Sequence, residues 1–139
     1  MVGVAFASGS GDYAEYLPKL NPLQEMEAGQ IVGIQQGKIS FNTADADNLF
    51  VISTQPIVLG NEPEENKDHY EKAAFLGQVP VWVQGPVQAG DFILPSGNFD
   101  GFGIAIHQEK ASAADLANLV GIAWESQEEE DLVLSLIHI

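Results

Sequence analysis

The chain has 139 residues, 45% of them apolar and 9% aromatic, with twenty Asp and Glu against five Lys and a formal charge of −15. That length suits one domain and that apolar content builds a core, so global disorder is excluded and the acidity belongs on the surface. No Arg and no Cys occur, which argues against nucleic acid and anionic membranes as partners and removes disulfides, thiolate metal sites and cysteine nucleophiles.

The N-terminus MVGVAFASGSGD lacks the basic region of a signal peptide, and no stretch approaches the ~20 apolar residues that span a bilayer. The expectation is a soluble chain. Short apolar runs separated by Gly, Pro, Asn and Asp roughly every eight to twelve residues point to a mainly β sandwich or barrel-like domain of short antiparallel strands.

In chain order, strands are expected at 2–7, 30–34 and 38–42, the last two joined by a tight Gln36-Gly37 turn. Ala44 to Asn48 has alternating acids but neither the glycine nor the closing glutamate of a calcium loop, so an acidic turn is expected. A strand at 49–54 follows. Residues 62–74, EPEENKDHYEKAA, read either as a second short helix after Pro63 or as a charged loop, and a loop with one helical turn is expected. His69 among its acids invites a zinc or manganese reading, against which stands the solvated state usual for such loops.

The clearest alternation is Gln78 to Gln84, with Val79, Val81 and Val83 on one face. Pro80, lacking an N–H, marks an edge or a bulge there. Strands at 92–94, 103–107 and 119–125 alternate with turns at Ala89-Gly90-Asp91 and Pro95 to Asn98, and Gly101-Phe102-Gly103 reads as the start of a strand rather than a cofactor loop. One short helix is expected at 112–118, where Ser112 has an acid three residues on. Glu125 to Asp131, ESQEEED, is a like-charge block expected to be an exposed loop. The last segment, LVLSLIHI at 132–139, is apolar on both faces. It needs either a central place in the sheet or cover from another subunit, and both readings stand.

No nucleophile elbow, phosphate loop or dinucleotide fingerprint occurs, and no cofactor or metal is expected. The remaining signal is GSGDYAEY at 9–16. Asp12 and Glu15, three apart, would share a helical face but point oppositely on a strand. Two nearby carboxylates are able to divide acid and base roles, and a solvated acidic turn is the plainer alternative.

The run Asp12-Tyr13-Ala14-Glu15-Tyr16 resembles the D-Y-A-E signature of the peptidase G2 family, the self-cleaving intramolecular-chaperone C-terminal domains of phage neck appendages and related fibre proteins. The resemblance continues through Ala28-Gly29-Gln30-Ile31-Val32, Val51 to Asn61, and Leu76 to Asp91, covering about residues 9–107. It implies a β-rich domain, residues 12–139 after a junction at 1–11, that assembles as a homotrimer with an upstream fibre segment on a virion or extracellular appendage. It also implies cleavage between Gly11 and Asp12 by the Asp12 and Glu15 carboxylates. Cleaving members carry serine before the aspartate, where this chain has Gly11. The expectation is therefore a structural cap that does not cut itself. The alternatives are a single-turnover autoprotease and a stand-alone filament-forming or binding module. Tyr13 and Tyr16 are expected to pack the junction against the domain.

Overall fold

The computed structural model describes residues 11–139; the strand expected at 2–7 and the first two residues of the octet lie outside them. Among the described residues, ten strands form one connected sheet: β1 (Gly11–Pro18), β2 (Ile31–Gln35), β3 (Lys38–Ser40), β4 (Asn48–Ile52), β5 (Val58–Gly60), β6 (Tyr70–Gln84), β7 (Phe92–Pro95), β8 (Gly103–Ile106), β9 (Gly121–Ala123) and β10 (Leu132–His138). Helix α1 (Ala113–Ala117) is capped by Ser112, whose hydroxyl accepts from the Asp115 N–H while the Asp115 carboxylate accepts from the Ser112 N–H. This reciprocal cap is the one expected from the sequence.

The mainly β, barrel-containing fold follows from the alternation seen in the sequence. Five strands close on themselves: β6 pairs with β10, β10 with β9, β9 with β7, β7 with β8, and β8 returns to β6 in the one parallel step of the ring. Val79, Val81, Val83, Ile93, Val133 and Ile137 fill the interior. The terminal strand β10 lies between β6 and β9, so Val133, Ser135, Leu136 and Ile137 are buried within the chain's own fold, while Leu132 and Leu134 remain exposed.

Strand β6 is the spine, 15 residues long, and it extends well past the barrel. Its first half pairs with β1 on one side and with β4 on the other at Ala73 and Ala74. Beyond β4 lie β2 and β3, with a second apolar cluster of Leu17, Met26, Val32, Ile39, Phe50 and Ile52 beneath. Residues 62–74 thus hold the expected helical turn, a 3-10 turn at Lys67–His69, but not a loop through 74, because β6 begins at Tyr70. Ala73 and Ala74 are fully buried and small enough to let β1 and β4 approach from both sides, a long-range demand with no local signature.

Other boundaries are shorter than expected. β3 stops at Ser40 because the Asn42 side chain accepts from the Ala44 and Asp45 N–H groups and turns the chain. β9 spans only three residues of the expected 119–125. β5 had no expected counterpart. The acidic block at 125–131 is the exposed connection between β9 and β10, tied down by a bridge between Val87 and Gln127.

Candidate functional site at the Gly11–Asp12 junction

The octet is a strand. β1 lies between β5, parallel, and β6, antiparallel, with Gly11 opposite Gln78, Asp12 opposite Gly77 and Tyr13 opposite Leu76. Phe75 is an extra residue on β6 between the partners of Tyr13 and Ala14, a bulge that leaves both Phe75 and Leu76 at the surface. The Asp12 carbonyl accepts from the Ile57 N–H at 2.7 Å.

Because β1 is extended, Asp12 and Glu15 take opposite faces. Asp12 points inward at 0% exposure, and neither carboxylate oxygen makes a hydrogen bond of ordinary geometry. Burial pushes its carboxyl above the ordinary carboxylate range, opposed by the neighbouring Ser53 hydroxyl and its own backbone N–H. Glu15 lies at the surface, where Oε2 accepts from Asn61 Nδ2 at 2.7 Å. The two groups named by the signature are both beside the junction, one dry and one wet, and a single chain does not bring them face to face.

Gly11 and Gly77 set how closely the strands approach. Gly77 has a φ of +104°, and a β-carbon there would collide with the Gly11 carbonyl oxygen. A β-carbon on Gly11 would lie 3.0 Å from both Cβ and O of Gln78, so serine at this position requires β6 to give by a few tenths of an ångström.

Tyr16 packs as expected, with the Lys67 ammonium 5.6 Å from its ring centre. Tyr13 does not pack against its own domain. It is 43% exposed in the middle of a cross-strand row, with Val58 at 51% on one side and Leu76 at 49% on the other. Ile57, Leu59 and Phe75 are exposed as well, but Leu59 lies opposite the inward Ala14 and so on the other face of the sheet from Tyr13. Among the described residues β5 pairs with β1 alone.

A second feature adjoins the junction. In β6 the odd-numbered residues face β10, and the even-numbered ones face the side where Gly11 meets Gln78 and where the Trp82 N–H donates to the Gly29 carbonyl at 2.9 Å. Pro80, between them, offers no N–H, so the β1 ladder has no donor for a step past Gly11. At this gap lies a cavity of about 190 Å³ walled by Gly29, Ile52, Ser53, Pro80, Trp82 and Leu134. Nothing in the sequence pointed to Ser53 or to this cavity, since a lone serine in VISTQ has no distinguishing pattern.

Elsewhere, a broad open groove holds Lys19, Lys67 and Lys72 among Glu25, Glu27, Asp68 and Glu71, a balance of charge that selects for neither sign. Burial raises the Glu71 carboxyl, opposed by Lys19 and Lys72. His69 Nε2 is 4.0 Å from Asp68 Oδ2, and among the described residues no three potential ligands gather to hold a metal ion. Among the same residues no helix is long and apolar enough to cross a membrane.

The fold has solved counterparts. It is similar to the bacteriophage phi29 gene product 12 C-terminal fragment, with a TM-score of 0.65 at 16% identity over 92% of this chain and 99% of that one. It is also similar to the pre-mature bacteriophage phi29 gene product 12, with a TM-score of 0.66 at 16% identity over 94% of this chain but 22% of that longer one. No family model matches the sequence, and no curated protein matches it. At that identity, the likeness to the phi29 proteins is one of fold.

Proposed function

We propose that this chain is the assembly and capping domain of a homotrimeric appendage fibre of a virion, acting as an intramolecular chaperone of the peptidase G2 type. The observation that carries this reading is the outward cross-strand row of Val58, Tyr13 and Leu76 on β5, β1 and β6. A cross-strand row of this kind is a surface on which identical copies gain by meeting, since an obligate interface resembles a core cut in half. The fold shared with nearly all of the phi29 C-terminal fragment supports it, as does the D-Y-A-E signature on that same β1. The acidic surface then keeps the assembly soluble. Mass measurement in solution tests it: closed trimers are expected, whereas open polymers would favour a filament-forming module and single chains would refute association.

A second reading, self-cleavage between Gly11 and Asp12, is favoured by one observation. Asp12 is a dry carboxyl held toward its protonated form next to the bond in question. Against it stand the missing hydroxyl at Gly11 and the outward turn of Glu15, which in one chain is occupied by Asn61. Intact-mass analysis of the chain carrying an upstream segment separates the readings. A cap stays whole; an autoprotease yields two fragments, and Glu15→Gln restores the uncut mass.

A further inference from the structure

Among the described residues, buried side-chain oxygens without a hydrogen-bond partner occur at Asp12 and Ser135. Ser135 lies in the sealed ring and has no charge to gain, whereas Asp12 ionises and lies at the start of β1. That start is set apart from the rest of the strand. The bulge at Phe75 falls between Tyr13 and Ala14, so Gly11 to Tyr13 pair with Gln78 to Leu76 on one side of it, and Ala14 to Pro18 with Ala74 to Tyr70 on the other. Ala14 and Leu17 anchor the longer stretch in the apolar clusters. The shorter one has no apolar anchor: Gly11 has no side chain, Tyr13 faces outward, and the inward group is Asp12 itself. Gly77 lies so close to the Gly11 carbonyl that a β-carbon does not fit between them, and neither does a water.

Among the described residues, the elements around Asp12 offer its charge no counter-ion. β6 brings Leu76, Gly77 and Gln78, and β5 brings Val58. The segment leaving β4 brings Ser53, whose hydroxyl, with the Asp12 N–H, opposes the rise that burial imposes on the carboxyl. Glu15 takes the other face with Asn61, and Glu71 and Lys72 lie beyond the bulge, opposite Leu17 and Tyr16. On the far edge of β6 the Ile139 α-carboxyl, of the same sign as Asp12, accepts from the Gly77 N–H at 3.2 Å.

We propose that Asp12 is a pH-sensitive latch on the junction: protonated, it stays docked, and ionised, it frees Gly11 to Tyr13 from β5 and β6 while Ala14 to Pro18 and the ring stay folded. A lone carboxylate is costly to bury, and the smallest opening that relieves it is that of the three residues holding it there. The free carboxyl titrates near ~3.9 and the docked one above that. Docking is therefore strongest below about pH 4 and weakens as pH rises through the raised value, roughly tenfold for each unit between the two. This inference goes beyond the assembly reading and stands whether or not copies associate and whether or not the Gly11 to Asp12 bond is cut.

Amide hydrogen exchange on the full chain from about pH 4 to about pH 8, corrected for intrinsic rates, reads the latch at Ile57, whose N–H donates to the Asp12 carbonyl. Ile57 protection is expected to fall by roughly tenfold or more as pH rises. Lys19, bonded to the His69 carbonyl just past β1, and Ala123, bonded to the Asp91 carbonyl in the ring, are expected to keep theirs. In Asp12→Asn, Ile57 should stay protected throughout. Constant Ile57 protection in the parent, an equal fall at all of these amides, or the same fall in Asp12→Asn overturns the proposal. Should the Asn variant not fold, Ser53→Ala decides. Loss of the hydroxyl that favours the ionised form is expected to deepen the fall at Ile57, and an unchanged fall overturns the proposal.

Discussion

The two halves of β6 differ in their residues and in what surrounds them. From Val79 to Gln84 the strand sits in a closed ring, with Val79, Val81 and Val83 sealed inside and β10 along one edge. From Tyr70 to Gln78 it supports β1 and β4, and its outward residues Phe75 and Leu76 are half exposed. A barrel closes on its own apolar surface and has no edges to hide; an open sheet cannot do this, and its outer face remains available to another molecule. The division falls at Gly77, the one residue in β6 with a left-handed φ. One half thus closes on itself within the single chain, and the other leaves an apolar row exposed where the proposed association would occur, with the junction between them.

If that division holds, damage to each half should be read by different measurements. The largest effect is expected from Ile137→Ala, which empties a fully buried position between Val79 and Ala123 in the ring. The loss of folding stability should be about 2–5 kcal/mol, seen as one cooperative shift in chemical denaturation that takes every element with it. Gly77→Ala acts on the division itself. It forces a β-carbon into a strained backbone and toward the Gly11 carbonyl, at about 2–4 kcal/mol. Hydrogen exchange should show β1 amides losing protection while the barrel amides keep theirs; uniform loss would show that the halves are not separable.

Asp12→Asn is expected to give a smaller change, of opposite sign. Unfolded, the Asp12 carboxyl titrates near ~3.9, and folding raises that value because burial outweighs the opposing Ser53 hydroxyl and its own backbone N–H. The folded state therefore binds the proton more tightly. The contribution of Asp12 is most favourable below about pH 4 and is lost as pH rises through the raised value. The Asn variant, which carries no charge, should melt higher than the parent at neutral pH, by roughly 1–3 kcal/mol of relief. The difference should vanish in acid. A parent that is the more stable at neutral pH would mean that the Asp12 carboxylate finds a partner in the assembled protein.

The barrel half was legible because its signals are local. Val79, Val81 and Val83 alternate without interruption, turns flank the strands, and Ser112 with Asp115 writes the helix cap in four residues. The open half was not, because its strands exist through partners far away in sequence. β1 reads GDYAEYLP, in which no period stands out, and the 70–74 segment of β6 looks like a continuation of a charged loop until β1 and β4 close on Ala73 and Ala74. Site residues were legible only through the signature. Asp12 was found that way, but its burial was not, since an aspartate fully removed from water without a hydrogen bond contradicts what composition leads one to expect. That Glu15 faces away follows from a spacing of three once the strand is known.

The central claim is that copies of this chain meet on the Val58, Tyr13 and Leu76 face. Light scattering of the purified protein at high dilution, beside its Val58→Glu variant, tests it most directly. The account predicts three times the 14.9 kDa chain mass for the parent. For the variant, which places a charge on an exposed strand position, it predicts a folded species of one chain mass. A parent that runs as a single chain, or a variant that remains trimeric, contradicts it.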